Sequence, residues 1–172
     1  MENYHMDVSP HPQLLDFLFA FKSKVSAIFK DILGIHDIDH LAVTQIKNHQ
    51  LLTLSSTPAM EYNLFSTNLW CYDKSYNPQW YHLYTQAFWE SLYQIRRYDE
   101  LYYIKQIKHN LPLGLTLASQ FGEGTILYSI ASHKSCSHTK ELFSTQFEDF
   151  QKIGQYCANL FSSLFNDEDF FL

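Results

Sequence analysis

Trp80 and Tyr84 have the spacing in this sequence that best suits recognition of a small molecule. Residues four apart lie on one face of a helix, so both rings can line one cavity wall and the phenol can donate a hydrogen bond to a ligand carbonyl. The alternative is that both rings are core side chains of a domain without a cavity. Weaker candidates for the same ligand site, whose positions suit packing equally well, are Trp70, Trp89 and Tyr128.

The segment 36–40 offers potential metal ligands at four of its five positions, which are His36, Asp37, Asp39 and His40. Imidazole and carboxylate groups bind divalent cations. Two histidines four residues apart share a metal readily on a helix, but this segment leads into a strand, where alternate residues face opposite sides. A structural polar loop is therefore favoured, and the sequence predicts no metal and no cofactor.

Cys136 lies between His133 and His138, an arrangement that suits a nucleophilic thiol or a soft metal site. A reactive thiolate needs a neighbouring base or a positive environment. The sequence contains no Cys-x-x-Cys pair, no Gly-rich phosphate loop and no sign of an oxyanion hole. We therefore predict that the protein is not an enzyme and has no catalytic residues.

The composition is that of a globular chain with an excess of aromatic residues. Its 172 residues suit one domain, and 46% of them are hydrophobic while 17% are charged. The 14 Phe, 12 Tyr and 3 Trp residues are more than a small core hides, so some should line a cavity or a partner surface. A net charge of -6 argues against direct nucleic-acid binding, which needs clustered cations.

Signals for export or membrane insertion are missing from the sequence. The N-terminal residues show no signal peptide, and no run approaches the roughly 20 apolar residues that a membrane span needs. The three cysteines, Cys71, Cys136 and Cys157, are far apart, which suits reduced thiols. We expect a cytoplasmic protein.

Hydrophobic periodicity predicts the elements that position these residues. The predicted helices cover 14–33, 58–70, 78–92 and 138–165, with further helical turns near 101–107, and the predicted strands cover 38–46, 51–55, 113–119 and 125–132. This order predicts an α+β fold, an antiparallel sheet flanked by helices as in PAS and GAF sandwiches. The expected organisation is a flexible leader over 1–12, a single sensor-like domain over 13–165 and a tail over 166–172.

Several segments resemble the ligand-binding domain of the LuxR-type quorum-sensing regulators. Residues 76–84 read YNPQWYHLY, in which Trp80 and Tyr84 match a Trp and a Tyr of that family. Residues 114–132, GLTLASQFGEGTILYSIAS, are similar to its strand, turn and strand, and the strands after LGIHDID at 33–39 resemble its opening hairpin. The resemblance covers most of residues 13–165, and it implies a domain that binds acyl-homoserine lactones and dimerises.

The sequence also departs from that family. The family has an Asp-Pro pair about nine residues beyond the tyrosine, and its Asp holds the amide of the autoinducer. This sequence has Tyr93 and Gln94 in the corresponding stretch, and it contains no Asp-Pro. It also ends before any helix-turn-helix domain. The resemblance thus implies a sensor-like fold with an altered or lost ligand preference.

We therefore expect a small-molecule-sensing or regulatory domain of LuxR-like type. It would act by binding a small amphiphilic ligand, by forming a homodimer, or by forming a heterodimer with a regulator. An apolar stripe over 138–165 that includes Phe161 would supply the dimer face, unless the sheet or the first helix covers it. The alternative is a ligand-free protein-interaction module, such as an effector or adaptor, with the same fold. Neither function involves direct nucleic-acid binding or a membrane span.

Overall fold

The computed structural model describes residues 8–20 and 22–163, and within them one sheet of six strands forms the centre of the fold. The strands are β1 Ser9–Pro10, β2 His40–Lys47, β3 Gln50–Ser55, β4 Gln86–Phe88, β5 Leu113–Phe121 and β6 Gly124–Ser132. They lie in the order β1-β3-β2-β6-β5-β4. β1 is parallel to β3 and the other neighbours are antiparallel, which confirms the predicted α+β fold with its largely antiparallel sheet.

The two faces of the sheet differ in chemistry because side chains alternate along each strand. Val43 of β2 is paired with Leu54 and with Tyr128, and these side chains belong to an apolar face. Its neighbour Thr44 is paired with Thr53 and belongs to the other face. That second face carries small and hydroxyl side chains, and we call it the polar face; its members include Ala42, Thr44, Thr53, Ser55, Gly114, Thr116 and Ser129.

Helices from the C-terminal part of the chain cover the apolar face. They are α7 Ser137–Thr145 and α8 Phe147–Ser162. The predicted single helix over 138–165 is therefore wrong: Gln146 leaves helical geometry between them, and residues 164 and 165 lie outside the described residues. The hydroxyl groups of Ser144 and Thr145 donate to carbonyl oxygens four residues earlier, a pattern that bends helices.

The apolar stripe of these two helices is buried inside the protein. Phe161 of α8 packs edge-on against Phe29, with ring centroids 5.2 Å apart. Gly154 lies so close to Tyr128 of the sheet that a Cβ there would be 2.4 Å from the ring. The stripe is thus covered by the chain's own sheet and by the N-terminal helix that contains Phe29, and it is not free to contact a second copy.

The polar face is covered by shorter elements from the middle of the chain. These are α3 Pro58–Ser66, α4 Pro78–Tyr81, α5 Trp89–Leu92, α6 Tyr98–Tyr102 and a π-helical turn Tyr103–Ile107. The helical turns near 101–107 are confirmed. The helix predicted over 58–70 is confirmed only over Pro58–Ser66, because a turn at 67–68 ends it and a 3-10 helix, Leu69–Tyr72, follows. The predicted helix over 78–92 is wrong, because β4 interrupts it: Phe88 pairs with Leu115 at the edge of the sheet, and this long-range pairing overrides the local helical period.

The first predicted helix, 14–33, is described as α1 Leu14–Ala20 and α2 Lys22–Lys30, with residue 21 outside the described residues. Part of the predicted leader is described as well, and it includes β1. Residues 1–7 and the predicted tail 166–172 lie outside the described residues, so the domain limits stay a prediction. Among the described helices, none is long and apolar enough to cross a membrane.

Candidate functional site

The first candidate site is a surface cleft of about 390 Å³ around Trp80 and Tyr84, which we call the outer cleft. Asn77 caps α4 by accepting a hydrogen bond from the backbone N–H of Gln79, which places Trp80 on the first turn. Tyr84 follows α4 and is 58% exposed. The two rings are nearly parallel, with centroids 6.3 Å apart. The lining residues are Lys74, Asn77, Gln79, Trp80, Tyr84, Gln94 and Ile95.

The five aromatic candidates fall into three separate places. Only Trp80 and Tyr84 of the five line the outer cleft. Trp70 and Trp89 are buried among the elements that cover the polar face, where Trp89 contacts Gly114 of β5. Tyr128 is buried on the opposite, apolar face against α8. The arrangement therefore does not bring the five residues together around one cavity.

A second candidate site lies beneath the outer elements, between the polar face and α3, α5 and α6. Four ionisable side chains are almost completely buried there: His40, Glu61, Asp73 and Lys105. We call this group the buried polar layer. Charged residues are rarely buried unless they are paired, so these four side chains should find their partners within the layer.

Lys105 and Asp73 form an ion pair at the centre of this layer. Nζ of Lys105 donates to Oδ2 of Asp73 at 2.9 Å. The other carboxylate oxygen of Asp73 accepts from the backbone N–H and the hydroxyl of Ser75, at 3.0 and 2.6 Å. Asp73 is thus held by the turn that it caps as well as by the ammonium group.

Two aromatic rings complete the surroundings of the Lys105 ammonium. Nζ lies 4.1 Å from the centroid of the Trp89 ring and 5.5 Å from that of Tyr93. The hydroxyl of Tyr93 donates to Gln106 at 2.8 Å. Lys105 and Gln106 are adjacent in sequence and both buried, and both lie in the π-helical turn. Such turns recur at functional sites because they redirect side chains.

His40 and Glu61 form the other buried pair. Nε2 of His40 is 3.9 Å from Oε1 of Glu61, and Nδ1 of His40 is 2.9 Å from Oγ1 of Thr57. Burial, reinforced by the Lys105 charge, lowers the pKa of His40 to about 3. Burial also raises the pKa of Glu61 to about 7. The imidazole is therefore uncharged at neutral pH, and we treat the pair as a polar contact, not as an ion pair.

Unused hydrogen-bonding groups remain in the same region. Within the described residues, Nε2 of His40 and the indole Nε1 atoms of Trp70 and Trp89 are buried without a hydrogen-bond partner. Native proteins satisfy most buried polar groups. The buried polar layer therefore has hydrogen-bonding capacity that the protein's own groups do not use.

The segment 36–40 sends its polar side chains to separate partners. His36 contacts Asp149 at 3.3 Å. Asp37 accepts from Thr139 and Lys134, at 2.7 and 3.1 Å. Asp39 accepts from the backbone of residue 133 at 2.7 Å, while the side chain of residue 40 enters the buried polar layer. The segment ties the start of β2 to the elements after β6, and these contacts do not converge on one metal position.

The Cys136 thiol contacts the side chain of Thr139, and its contact with His138 is made through the backbone of that residue. Its Sγ is 3.2 Å from Oγ1 of Thr139. Hydrogen bonding with the side chain and backbone of Thr139 lowers the pKa of the exposed thiol. Nδ1 of His133 contacts the carbonyl oxygen of Asn110 at 2.6 Å. The geometry does not assemble the predicted cysteine and histidine groups into a catalytic pair.

The buried charged residues were missed by the reasoning from sequence, although two of them left a local signal. Glu61 lies in α3 beside Met60, Leu64 and Phe65, and all four are buried. Lys105 follows buried Leu101 by four residues, which is one helical face. A charged residue on an apolar face indicates a buried charge. Asp73 left no such signal, because only the tertiary fold brings it to Lys105.

Comparisons with known proteins connect this geometry to a fold family. No protein-family profile and no curated protein sequence matches the chain. Solved structures do match. SdiA from Escherichia coli is 13% identical, with a TM-score of 0.55 over 90% of this chain and 68% of SdiA. SdiA in complex with octanoyl-rac-glycerol gives 13% identity and a TM-score of 0.54, over 91% of this chain and 67% of that one.

The ligand-binding domain of VqsR from Pseudomonas aeruginosa matches as well. It is 13% identical, with a TM-score of 0.50 over 86% of this chain and 92% of that domain. At this identity the comparisons show the fold alone. The similarity to the SdiA and VqsR domains, together with the six-stranded sheet and its flanking helices, shows that this chain has the fold of the LuxR-type ligand-binding domains that its sequence resembles.

Proposed function

We propose that the chain is a small-molecule-sensing regulatory domain that binds a small amphiphile in the outer cleft. The observation that carries this proposal is the pair of nearly parallel rings, Trp80 and Tyr84, at the wall of a 390 Å³ cleft. Ligand sites are typically concave and aromatic, with a few polar groups that fix orientation. The amide side chains of Asn77, Gln79 and Gln94 supply such groups here.

The chemistry of the cleft favours a short acyl chain with an uncharged polar head. The rings and Ile95 provide apolar contact for the chain, and the Tyr84 phenol can donate to a carbonyl oxygen of the head. SdiA has been solved with octanoyl-rac-glycerol, an ester of this kind. Acyl-homoserine lactones are expected to do little, because Tyr93 and Gln94 stand where the resembled family has the Asp-Pro pair whose Asp holds the amide of the autoinducer.

Thermal unfolding with octanoyl-rac-glycerol, acyl-homoserine lactones and related short amphiphiles tests this proposal. A ligand that binds only the folded protein stabilises it by roughly 2.7 kcal/mol at a hundredfold excess over its Kd. Trp80→Ala should abolish the shift and Tyr84→Phe should weaken it, since the latter removes only a hydroxyl. Tyr103→Phe is a matched control at another exposed tyrosine. Shifts that survive Trp80→Ala, or their absence with every amphiphile, contradict the proposal.

A second candidate function is a ligand-free interaction module. Ile95 is 94% exposed and Leu83 is 76% exposed beside or near the outer cleft, and such apolar side chains suit a protein partner as well as a ligand. In this alternative the chain pairs with itself or with a regulator in the cytoplasm. Native mass spectrometry of protein from its own host separates the two functions, because only the sensor carries a bound small molecule.

A further inference from the structure

The ammonium group of Lys105 occupies a cage formed by a carboxylate and two aromatic rings. We propose that Asp73, Trp89 and Tyr93 form a recognition site for a primary alkylammonium group, and that the side chain of Lys105 is its built-in occupant. This site is separate from the outer cleft, since none of these four residues lines it. The proposal therefore goes beyond the sensing function and does not depend on it.

The chemistry around Nζ is that of an ammonium-binding site. A carboxylate oxygen of Asp73 lies 2.9 Å away, and the Trp89 ring centroid lies 4.1 Å away. Cations over an indole face are attracted by its quadrupole, most strongly when they are desolvated. Lys105 is 3% exposed, and it is the one lysine or arginine that is buried among the described residues. All other lysines and arginines among the described residues are at least partly exposed, so Lys105 alone of these has its charged group enclosed in such a site.

Contacts that do not involve the Lys105 side chain hold the walls of the cage. Asp73 is fixed by Ser75 through two hydrogen bonds. Trp89 lies on the backbone of Gly114, with no room for a Cβ between them. Removing the Lys105 side chain beyond Cβ should therefore leave a preformed space with the shape of propylammonium. A free amine loses translational and rotational entropy when it binds, whereas Lys105 is already attached to the chain. We therefore expect the free amine to bind only in the millimolar range.

Chemical rescue of Lys105→Ala tests the proposal directly. The variant should melt at a lower temperature than the wild type, because it leaves the Asp73 carboxylate buried without its partner. Propylammonium chloride should raise this melting temperature saturably. Sodium chloride at the same ionic strength and 1-propanol at the same concentration should not. Lys108→Ala, which removes an exposed lysine three residues away, is the matched control and should show no propylammonium effect.

The double variant Lys105→Ala with Asp73→Asn assigns the effect to the cage. It should lose the propylammonium response, because the carboxylate that pairs with the amine is gone. A response that persists in the double variant, or that sodium chloride reproduces, overturns the proposal. If Lys105→Ala is unfolded, the same titration is followed by far-UV circular dichroism. Recovery of the folded spectrum with propylammonium alone supports the cage, and no recovery overturns it.

Discussion

The indole ring of Trp89 rests on the backbone of Gly114, and a Cβ at position 114 would lie 2.1 Å from Cδ2 of that ring. Real Cβ atoms essentially never come this close to another atom. Gly114 is the second residue of β5, and Trp89 begins α5 on the polar face of the sheet. Close packing therefore requires a glycine at position 114. This glycine allows the Trp89 ring to lie directly on the strand, and the Lys105 ammonium group packs against that ring.

Gly114→Ala should destabilise the protein, because the new methyl group must push a fully buried Trp89 away from the sheet. Overpacking of this kind costs typically about 1–3 kcal/mol, and the rigid strand backbone favours the upper end of that range. Urea unfolding followed by tryptophan fluorescence measures the loss. Ser119→Ala, a small change near the far end of the same strand, is the control. An unchanged unfolding midpoint in Gly114→Ala would show that Trp89 can move freely.

Glu61→Gln should change how stability depends on pH. The folded protein holds the Glu61 proton up to a pKa of about 7, whereas an ordinary Glu releases it near 4.5. Between these values the unfolded chain binds fewer protons, so the free energy of unfolding falls as the pH rises. Removing the carboxyl group should therefore stabilise the variant relative to the wild type across this range, by on the order of 3 kcal/mol in total.

Comparing the wild type with Glu61→Gln separates the effect of Glu61 on stability from that of His40, which is also buried. His40 has the opposite effect on the pH dependence of stability. Its pKa is about 3 in the folded protein and about 6.5 in the unfolded chain. Between these values the unfolded chain binds more protons, so the free energy of unfolding rises with pH. His40 is present in both proteins, so its contribution largely cancels. Urea unfolding at a series of pH values gives the difference. Glu148→Gln, at an exposed carboxyl, should show no such trend, and a pH-independent difference for Glu61→Gln would contradict its buried pKa.

The central sheet could be predicted from sequence because its signals are local. β2, β3, β5 and β6 are runs of strand-forming residues joined by two short turns, and alternation along them indicates strands without knowledge of the rest. β4 could not be found this way. Residues 78–92 carry a helical apolar period, and only the distant partner β5 makes Gln86–Phe88 a strand.

The candidate sites differ in the same way. Trp80 and Tyr84 come together through one helical turn, as the backbone hydrogen bond from Tyr84 N–H to the Trp80 carbonyl shows, so their spacing predicts the contact. Asp73 and Lys105 are 32 residues apart. Their pairing depends on the turn at Ser75 and on the π-helical turn, neither of which has a sequence period. The absence of an Asp-Pro pair could be read from the sequence, whereas the buried carboxylate of Asp73 and its pairing with Lys105 could not.

Phe161→Glu should unfold the protein, not separate a dimer. Phe161 is completely buried against Phe29, so a carboxylate there has neither water nor a partner. Loss of the ring alone costs about 3–5 kcal/mol in typical cores. Tyr156→Glu on the exposed side of the same helix is the control and should remain folded. Circular dichroism measures whether the variant is folded, and sedimentation measures whether it is a dimer. A Phe161→Glu variant that is folded but monomeric would show that the apolar stripe is a dimer interface.

The three cysteines should react with thiol reagents in an order set by exposure and pKa. The thiolate is the reactive form, so a lowered pKa and access to solvent act together. Cys136 has both properties, because hydrogen bonding with Thr139 lowers its pKa and its side chain is exposed. Burial raises the pKa of Cys71, which is partly exposed, and that of Cys157 to about 12.

Cys136 should therefore account for the fast phase of alkylation in the folded protein. Its rate should reach half of its maximum at a lower pH in the folded protein than in the urea-unfolded protein, as expected for a thiol whose pKa the fold lowers. Mass spectrometry of peptides from briefly alkylated protein identifies the modified residue, and Cys136→Ser should remove the fast phase. Modification of Cys157 at the same rate would mean that α8 opens readily from the sheet, contrary to the close contact between Gly154 and Tyr128.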